Sequence, residues 1–522
     1  MKGKMMEHTL IEQEQDVSES RALASFGYQQ QLHRKMGRFA SFAAGFSFIS
    51  VLTAVFQLAG LGFSFGGPAY VWTWPVVLGG QLLVALCFAE LAARYPLSGA
   101  IYQWASRLAN PVFGWFAGWI MIIGQIVVMT SAAVALQVVL PEIWSGFQLV
   151  GGDPSPTSSS GAHNAILLAG ILMTLTTIVN VIGIKLMYII NNCGVVSEIT
   201  GAVAIIILLL VHSRRSGEVL ASTGTIDHAG YFGALLCASF TAAYVLVGFD
   251  SASEMSEETH NARRIAPRTI LRALSAAGVL GFGIIVVTVL AAPSLSDGRL
   301  AGEGPAYVVA TVLSGATGKI LLIMVAIAIC VATLAIQTAG SRMLFSMARD
   351  RRTLFHAALS RVPRRTGTPA AAAIAIGLGA IAVLLLNLGP QAAFVAMEST
   401  CIIIIYLAYL MVTGAMLFNR LRGEAVFIAG AVDDHGQRAF SMGRAGLWVN
   451  VLAVGYGAAM FINLIWPRQA IYDPQGGHWY LQYFPLVFTA GTLVVGAVLY
   501  SAVHRGPQQV HGTQWAMVPA AE

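Results

Sequence analysis

The stretch GFSFISVLTAVF (residues 45–56) lies inside the first long apolar segment of the chain, yet it contains a Gly, two Ser and a Thr. Backbone groups in the hydrocarbon region must be hydrogen-bonded, and irregular backbone is tolerated there only where it lines a cavity. Two interpretations follow. The small residues either let a neighbouring helix pack closely or mark a helix that breaks around a ligand.

A second apolar segment has the same character. SFTAAYVLVGFDSASEMSEE (residues 239–258) carries Ser, Thr and Gly within its apolar run, five spans after the first. Because five is odd, this sixth segment enters the membrane from the opposite side. Interrupted helices at matching positions of two oppositely oriented sets of helices are typical of inverted-repeat transporters with a midplane site.

The composition excludes an ordinary soluble protein. Of 522 residues 57% are hydrophobic and 10% charged, against about 25% charged in soluble domains. About 20 apolar residues span a bilayer, and we therefore predict an all-α polytopic membrane protein with 12 transmembrane helices. The predicted spans are 41–64, 70–93, 112–140, 163–184, 189–211, 231–253, 271–293, 318–340, 369–388, 391–417, 446–466 and 482–504.

The distribution of basic residues predicts the topology. With the N-terminus inside, all but five of the 30 Lys and Arg fall on the cytoplasmic side, as the positive-inside rule requires. Both termini are then cytoplasmic, in a multi-pass plasma (cell inner) membrane protein. The net charge of +6 follows from this topology, so no nucleic-acid partner is expected. The five exceptions are Arg214, Arg215, Arg299, Lys319 and Arg468.

The predicted organisation has two five-helix repeats, 41–211 and 231–417, followed by peripheral helices 11 and 12 in 446–504. Residues 1–40 lack the pattern of a signal peptide and are predicted as a cytoplasmic tail, with 22–39 either an amphipathic surface helix or a solvated linker. Residues 505–522 are predicted as a second cytoplasmic tail. Neither the five Cys nor the eleven His show metal-ligand spacing, so no metal site or cofactor is expected. No loop is large enough for an enzymatic domain and no catalytic constellation is visible, so no enzymatic activity is expected.

Four stretches carry a resemblance to a known family. They are FSFISVLTAVF (46–56), AELAARYPLSGAIYQWASRL (89–108), GFDSASEMSEETHNARRIAPRTI (248–270) and SRMLFSMARD (341–350). The chain resembles the amino acid-polyamine-organocation (APC) superfamily of permeases, and within it looks most like the amino acid/choline transporter family, which includes GABA and choline permeases.

The resemblance implies a five-plus-five inverted repeat with helices 1 and 6 unwound. Many relatives have Gly-x-Gly in helix 1, where this chain has Leu52, Thr53 and Ala54, so its backbone is less free there. An aromatic gate is implied at Tyr244. The implied unwound residues are Ser50, Val51, Leu52, Thr53 and Ala54 in helix 1, and Val245, Leu246, Val247 and Gly248 in helix 6.

Two acidic residues lie within predicted spans, where charges are costly and mark functional candidates. Glu198 lies near mid-membrane in segment 5 and is predicted to couple transport to protons or to balance a cationic group. Its alternative is a carboxylate hydrogen-bonded between helices. Glu398, in segment 10, is predicted to attract a substrate amine, or else to serve the outer vestibule or helix packing.

Charges at the inner end of segment 6 predict a gate of ion pairs. The i, i+4 spacing of Asp250, Glu254 and Glu258 puts them on one helix face, and basic residues follow them. A solvated helix end is the alternative interpretation. The predicted gate residues are Glu90, Arg94, Asp250, Glu254, Glu258, Arg342 and Arg349.

Two amides and three hydroxyls complete the candidates. Gln125 and Gln337 contact either a substrate or another helix. Thr333, Thr338 and Ser341 in segment 8 are hydroxyls that a sodium site would need, whereas the acidic residue in segment 5 favours protons as the coupling ion.

These features predict a secondary active transporter that imports an amino acid or related amine, such as GABA or choline, by alternating access. Free N–H groups at the start of a half-helix bind anions and free C=O groups at its end bind cations, which suits a zwitterion. The alternatives are an amino acid/amine exchanger and a transporter-like sensor without net transport.

Overall fold

A computed structural model describes residues 19–21, 23–156, 158–224, 230–386, 391–423, 439–473 and 476–504. Within these ranges the chain forms helices and no strands. In the first half the helices are α1 Arg38–Ile49, α2 Val51–Gly66, α3 Thr73–Arg94, α4 Ala100–Leu108, α5 Pro111–Val134, α6 Leu136–Ile143, α7 Ser159–Ile182, α8 Ile184–Val211 and α9 Tyr231–Val245.

The second half continues in the same way. Its helices are α10 Ser251–Glu254, α11 Ala262–Ala291, α12 Gly298–Glu303, α13 Pro305–Val312, α14 Ala316–Arg349, α15 His356–Leu359, α16 Ala370–Leu386, α17 Gln391–Leu421, α18 Gly446–Ile465, α19 Gln469–Tyr472, α20 Trp479–Gln482 and α21 Phe484–His504. Short 3₁₀ turns lie between some of them.

The described helices have the length and composition of membrane spans. Nine stretches are long and apolar enough to cross a bilayer, and the first of these, Arg38–Arg94, takes in two of the predicted segments. Shorter apolar helices, α9 and α16, lie at predicted segments 6 and 9. The polytopic membrane class is thus confirmed. The count of twelve crossings and the repeat stay predictions.

Two of the apolar segments are interrupted. α1 ends at Ile49, Ser50 takes the left-handed conformation with φ 37°, and α2 begins at Val51. α9 ends at Val245, and helical structure resumes only at Ser251, with Gly248 at φ 88° between them. We call these interruptions the first and second break.

The predicted unwound range in segment 1 was too wide, because Val51, Leu52, Thr53 and Ala54 are helical. The Ala54 N–H donates to the Ser50 carbonyl at 3.0 Å, so the helix restarts at once. Without glycines, the left-handed conformations that a longer break can use would cost each of these four residues roughly 1–2 kcal/mol. In segment 6, Val245 is still helical, whereas Leu246, Val247 and Gly248 are not.

Helix packing places the breaks together in the middle of the bundle. α9 packs along α2, α11 packs on α3, and α14 packs against both α5 and α8. Residues 23–37 lie at one end of the bundle, called here the N-terminal end. Residues 28–37 are not helical; Leu32 and Met36 are buried there, whereas Gln29, Gln31 and Lys35 are exposed.

Candidate functional site

A carboxylate caps the half-helix that starts at the first break. Glu198 Oε1 accepts hydrogen bonds from Ser50 Oγ at 2.9 Å and from the Leu52 backbone N–H at 3.2 Å. Thr53 Oγ1 lies 2.6 Å from Ser50 Oγ. The first N–H groups of a helix have no acceptor within the helix, and Glu198 supplies one of the missing acceptors.

Glu198 reaches the break because α8 approaches it closely. Gly194, Glu198 and Gly201 share one helix face by their spacing. A Cβ at Gly194 would overlap the Val331 side chain of α14, and a Cβ at Gly201 would lie 3.3 Å from Leu52 Cδ1. The two glycines therefore allow α8 to lie against both the break and α14.

The second oxygen of Glu198 is unused. Glu198 is 1% exposed, and its Oε2 has no hydrogen-bond partner among the described residues. No Lys, Arg or His in those residues forms an ion pair with it. Burying an ionised carboxylate without a cationic partner is energetically costly. Glu198 can therefore be stabilised either by taking up a proton or by binding a cationic group.

The second break is held by a tyrosine that the sequence did not single out. Tyr409 of α17 accepts a hydrogen bond from the Gly248 N–H at 3.0 Å and donates to Asp250 Oδ1. A Cβ on Gly248 would overlap the Phe48 ring of α1. Positive φ and this close approach both require glycine at this position.

On the side of the breaks away from the N-terminal end, Tyr244 joins helices α2, α5 and α9. Its hydroxyl lies 2.7 Å from Ser131 Oγ of α5 and donates to Gln57 Oε1 of α2 at 3.4 Å. The Gln57 amide in turn donates to the Ser131 carbonyl at 3.0 Å. Tyr244, predicted as an aromatic gate, therefore lies where it links the half-helices α2 and α9 to α5.

Below the breaks, aromatic rings close the bundle. Phe88 packs against Trp104, Tyr409 and Phe249 with ring centroids 5.3, 4.9 and 5.8 Å apart. Tyr409 also packs on Phe249 at 5.3 Å. All of these side chains are buried, so this floor separates the breaks from the N-terminal end.

Ion pairs lie at the N-terminal end, beneath the floor. Arg342 Nε donates to Glu258 Oε1 at 2.9 Å, with both side chains fully buried, and Tyr188 donates to Glu258 Oε2 at 2.6 Å. Arg349 binds Glu257 through two hydrogen bonds of 2.8 Å. We call these two pairs the gate pairs.

The other predicted gate residues lie apart from the gate pairs. Glu90 pairs with Arg94 one turn along α3 and with Arg420 of α17, and not with segment 6 or 8. Asp250 binds Tyr409. Glu254 is buried and faces the first N–H groups of α4 without a hydrogen bond of ordinary geometry.

The prediction that Asp250, Glu254 and Glu258 share one helix face was wrong. α10 contains only four residues, Ser251–Glu254, and a 3₁₀ turn, Ser256–Glu258, follows it. This change in winding turns the three carboxylates toward different partners. It also brings Glu257, another acidic residue at the end of segment 6, onto Arg349.

The amides and hydroxyls of the other segments mostly serve helix packing. Gln337 donates to Thr177 Oγ1 at 2.6 Å, and Thr338 donates to Asn180 Oδ1 at 2.8 Å. Ser341 accepts from Arg342 at 2.9 Å, and Thr333 donates to the Ile329 carbonyl at 2.8 Å within its own helix. These hydroxyls already have partners away from segment 1.

Gln125 differs from these residues. It is fully buried in α5, and neither amide atom has a hydrogen-bond partner among the described residues. Glu398 lies in α17, but its side chain is outside the described residues. Within the described ranges no three His, Cys, Asp or Glu come together as a metal site would require.

Breaking the Arg342–Glu258 pair should strongly destabilise the protein. Arg342→Met leaves a fully buried carboxylate without its cation, and such losses cost about 3–5 kcal/mol. We expect a markedly lower Tm in detergent for this variant. The double variant Arg342→Met/Glu258→Leu should recover much of the loss, because it removes both charges.

The exposed pair between Arg299 and Glu303, 2.7 Å apart, is the matched control. Exposed pairs contribute less than about 1 kcal/mol, so Glu303→Gln should leave Tm nearly unchanged. Equal Tm shifts in Arg342→Met and Glu303→Gln would contradict a stabilising role for the buried pair.

Taken together, the helices and the two breaks define a polytopic membrane protein with a polar centre enclosed in an apolar bundle. The sequence model described as amino acid permease matches residues 36–493. The chain therefore belongs to the amino acid permease family of the APC superfamily. This membership indicates a membrane transporter of amino acids or amines and not an enzyme.

Relatives among characterised proteins agree with this family. The chain is 28% identical to the amino-acid permease BAT1 homolog of Oryza sativa subsp. japonica over 470 residues, covering 85% of this chain and 86% of the relative. It is 26% identical to amino-acid permease 2 of Neurospora crassa over 497 residues, covering 90% and 86%. It is also 25% identical to the thiamine transporter thi9 of Schizosaccharomyces pombe over 440 residues, covering 77% and 74%.

Proposed function

We propose that the chain is a secondary active transporter that imports a small amino acid or related amine, such as GABA or choline, by alternating access driven by protons. The proposed architecture is the five-plus-five inverted repeat of 12 helices, with both termini cytoplasmic in the plasma membrane. Ser50, Leu52 and Gly248 lie at the proposed substrate site, with Tyr244 as its gate. Glu398 and Gln125 are proposed as further substrate contacts.

The observation that carries this proposal is the Glu198 carboxylate on the N-terminus of α2. Half-helix N-termini favour anions, and here the chain's own carboxylate occupies that position through the Leu52 N–H. A substrate carboxylate and an ionised Glu198 repel each other at such a site. A proton on Glu198 removes that repulsion.

Proton and substrate binding are coupled by this competition. When Glu198 takes up a proton, its oxygen becomes a weaker acceptor, and the N–H groups of α2 become available to a substrate carboxylate. When the substrate leaves, the N–H groups at the start of α2 donate to Glu198 again, and Glu198 then loses its proton. Each transport cycle therefore carries a proton together with its substrate.

An amine without a carboxylate uses the same residue differently. Its positive charge pairs with the unused Glu198 Oε2 and requires no proton there. The similarity to a thiamine transporter supports keeping organic cations among the proposed substrates. Exchange of an amino acid for its amine is the second candidate function, since one site then accepts both forms.

Uptake into proteoliposomes tests the proposal. The panel contains GABA, neutral, basic and acidic amino acids, choline and putrescine, each with an imposed proton gradient and then a sodium gradient. We expect accumulation of one class under the proton gradient only. Accumulation driven by sodium alone contradicts proton coupling, and counterflow without net uptake supports the exchanger. Binding without any flux would indicate a sensor.

A further inference from the structure

Residues 26–36 form a segment that we call the N-terminal strap. One side of the strap is bonded to the chain that follows the second break. The Lys35 and Met36 N–H groups donate to the Glu258 carbonyl at 2.9 and 2.8 Å, and the His260 N–H donates to the Met36 carbonyl at 3.0 Å. Met36 and Thr259 form a parallel β-bridge.

The other side of the strap is bonded to the end of α14. The Tyr28 hydroxyl donates to the Asp350 carboxylate, with distances of 2.9 and 3.0 Å to its two oxygens. The Arg349 guanidinium lies 3.9 Å from the centre of the Tyr28 ring, a favourable cation–π contact. Leu32 is 1% exposed and packs with Phe345 and Ala372.

The strap therefore joins the same two elements as the gate pairs. Glu257 and Glu258 lie on the first element, and their partners Arg349 and Arg342 lie on α14. The strap binds the Glu258 backbone on one side and stacks on Arg349 on the other. Any movement that separates the gate pairs must also break one set of strap contacts.

We infer that the N-terminal strap is a latch that holds the N-terminal end of the transport path closed: it stays anchored to α14 and must release its backbone contacts with residues 258–260 before that end opens. The inference rests on the proposed function in one respect, since it assumes that this end opens during transport. It adds a regulatory element outside the membrane segments. Substitutions in the strap are then expected to change how readily the gate pairs separate.

A disulfide across the bridge tests whether the strap moves. Met36 and Thr259 are paired in the bridge, neighbouring strands lie about 4.8 Å apart, and a disulfide needs Cα atoms about 4.4–6.8 Å apart, so Met36→Cys/Thr259→Cys can form one. The background carries Ser at Cys193, which is exposed, and at Cys330, which is partly buried. We expect oxidation to lower uptake more than tenfold and reduction to restore it. The Met36→Cys single variant under the same oxidant is the control.

Labelling of a buried thiol provides a readout that does not depend on transport. Ser253 is fully buried on α10, between the second break and the gate pairs. In Ser253→Cys protein, we expect Tyr28→Ala to raise the rate of N-ethylmaleimide labelling at least fivefold. Oxidation of the Met36–Thr259 cysteine pair should lower that rate. Tyr480→Ala, at a tyrosine 47% exposed elsewhere on the surface, should leave it unchanged.

The two readouts separate failure of the latch from failure of the proposed function. If labelling is the same in Tyr28→Ala and in the oxidised pair as in their parent, the latch is wrong whatever the uptake data show. Full uptake by the oxidised pair also overturns it. If labelling responds as expected but no substrate is carried, the latch stands and the proposed transport function fails.

Discussion

Replacing Glu198 with Gln is expected to abolish proton-driven accumulation while leaving substrate exchange intact. The Gln carbonyl oxygen can still accept from Ser50 and from the Leu52 N–H, so α2 keeps its cap. The amide cannot take up and release a proton in the cycle. With one proton per substrate, a gradient of one pH unit supports about tenfold accumulation, and Glu198→Gln should lower this to equal concentrations on both sides.

Two comparisons make the Glu198 result specific. Counterflow of labelled substrate should continue in Glu198→Gln, which shows that the protein is folded and binds. Glu218→Gln removes an exposed carboxylate and should accumulate substrate like the parent chain. If Glu198→Gln still accumulates substrate along a proton gradient, Glu198 is only a structural cap and the coupling proposal fails.

Gly248→Ala is expected to reduce transport more than tenfold. Gly248 has φ 88°, and non-glycine residues pay roughly 1–2 kcal/mol for left-handed backbone. The added methyl group would also overlap the Phe48 ring. Either the break changes conformation or the two half-helices move apart, and both changes displace the Gly248 N–H from Tyr409. Initial uptake rates at equal surface expression measure the effect.

Gly233→Ala is the matched control for Gly248→Ala. Gly233 lies in α9, and a Cβ there would meet no atom within 4 Å, so this change should be neutral or slightly stabilising. Adding Phe48→Ala to Gly248→Ala should recover part of the activity by removing the overlap. Transport by Gly248→Ala at the parent rate would mean that the second break does not need its observed backbone.

Much of the helical framework could be predicted from apolar run lengths, because a bilayer admits few alternatives. The positions of the breaks followed from small polar residues in two segments. The width of each break did not follow, since it depends on where the helical hydrogen bonds resume. Ser50 alone interrupts segment 1, while the glycine in segment 6 permits a longer interruption.

The partners of the charged residues could not be predicted in the same way. Glu198 bonds to Leu52, which lies 146 positions away, and Tyr409 bonds to Asp250 over a separation of 159. A single tyrosine in an apolar helix gives no sequence signal for such a role. The strap was missed because one of its sides is held by backbone hydrogen bonds, which any residue can make and which leave no periodic pattern. Its other side depends on Tyr28, whose partner Asp350 lies 322 positions away.

The spacing argument failed at Asp250, Glu254 and Glu258 for a related reason. It assumed a continuous helix through the end of segment 6, but the chain changes from an α-helical to a 3₁₀ turn within eight residues. Asp250 then contacts Tyr409 and Glu258 pairs with Arg342, while Glu254 faces the start of α4. Glu257, which a regular helix would turn away from the others, becomes half of a gate pair.

The central claim is that substrate and proton move together. It is tested most directly by a pH-sensitive dye sealed inside proteoliposomes, with substrate added outside and no imposed gradient. We predict that the interior acidifies as a zwitterionic substrate enters, with about one proton per substrate molecule, and that Glu198→Gln removes the signal. Uptake of that substrate by the parent chain without acidification would contradict the account.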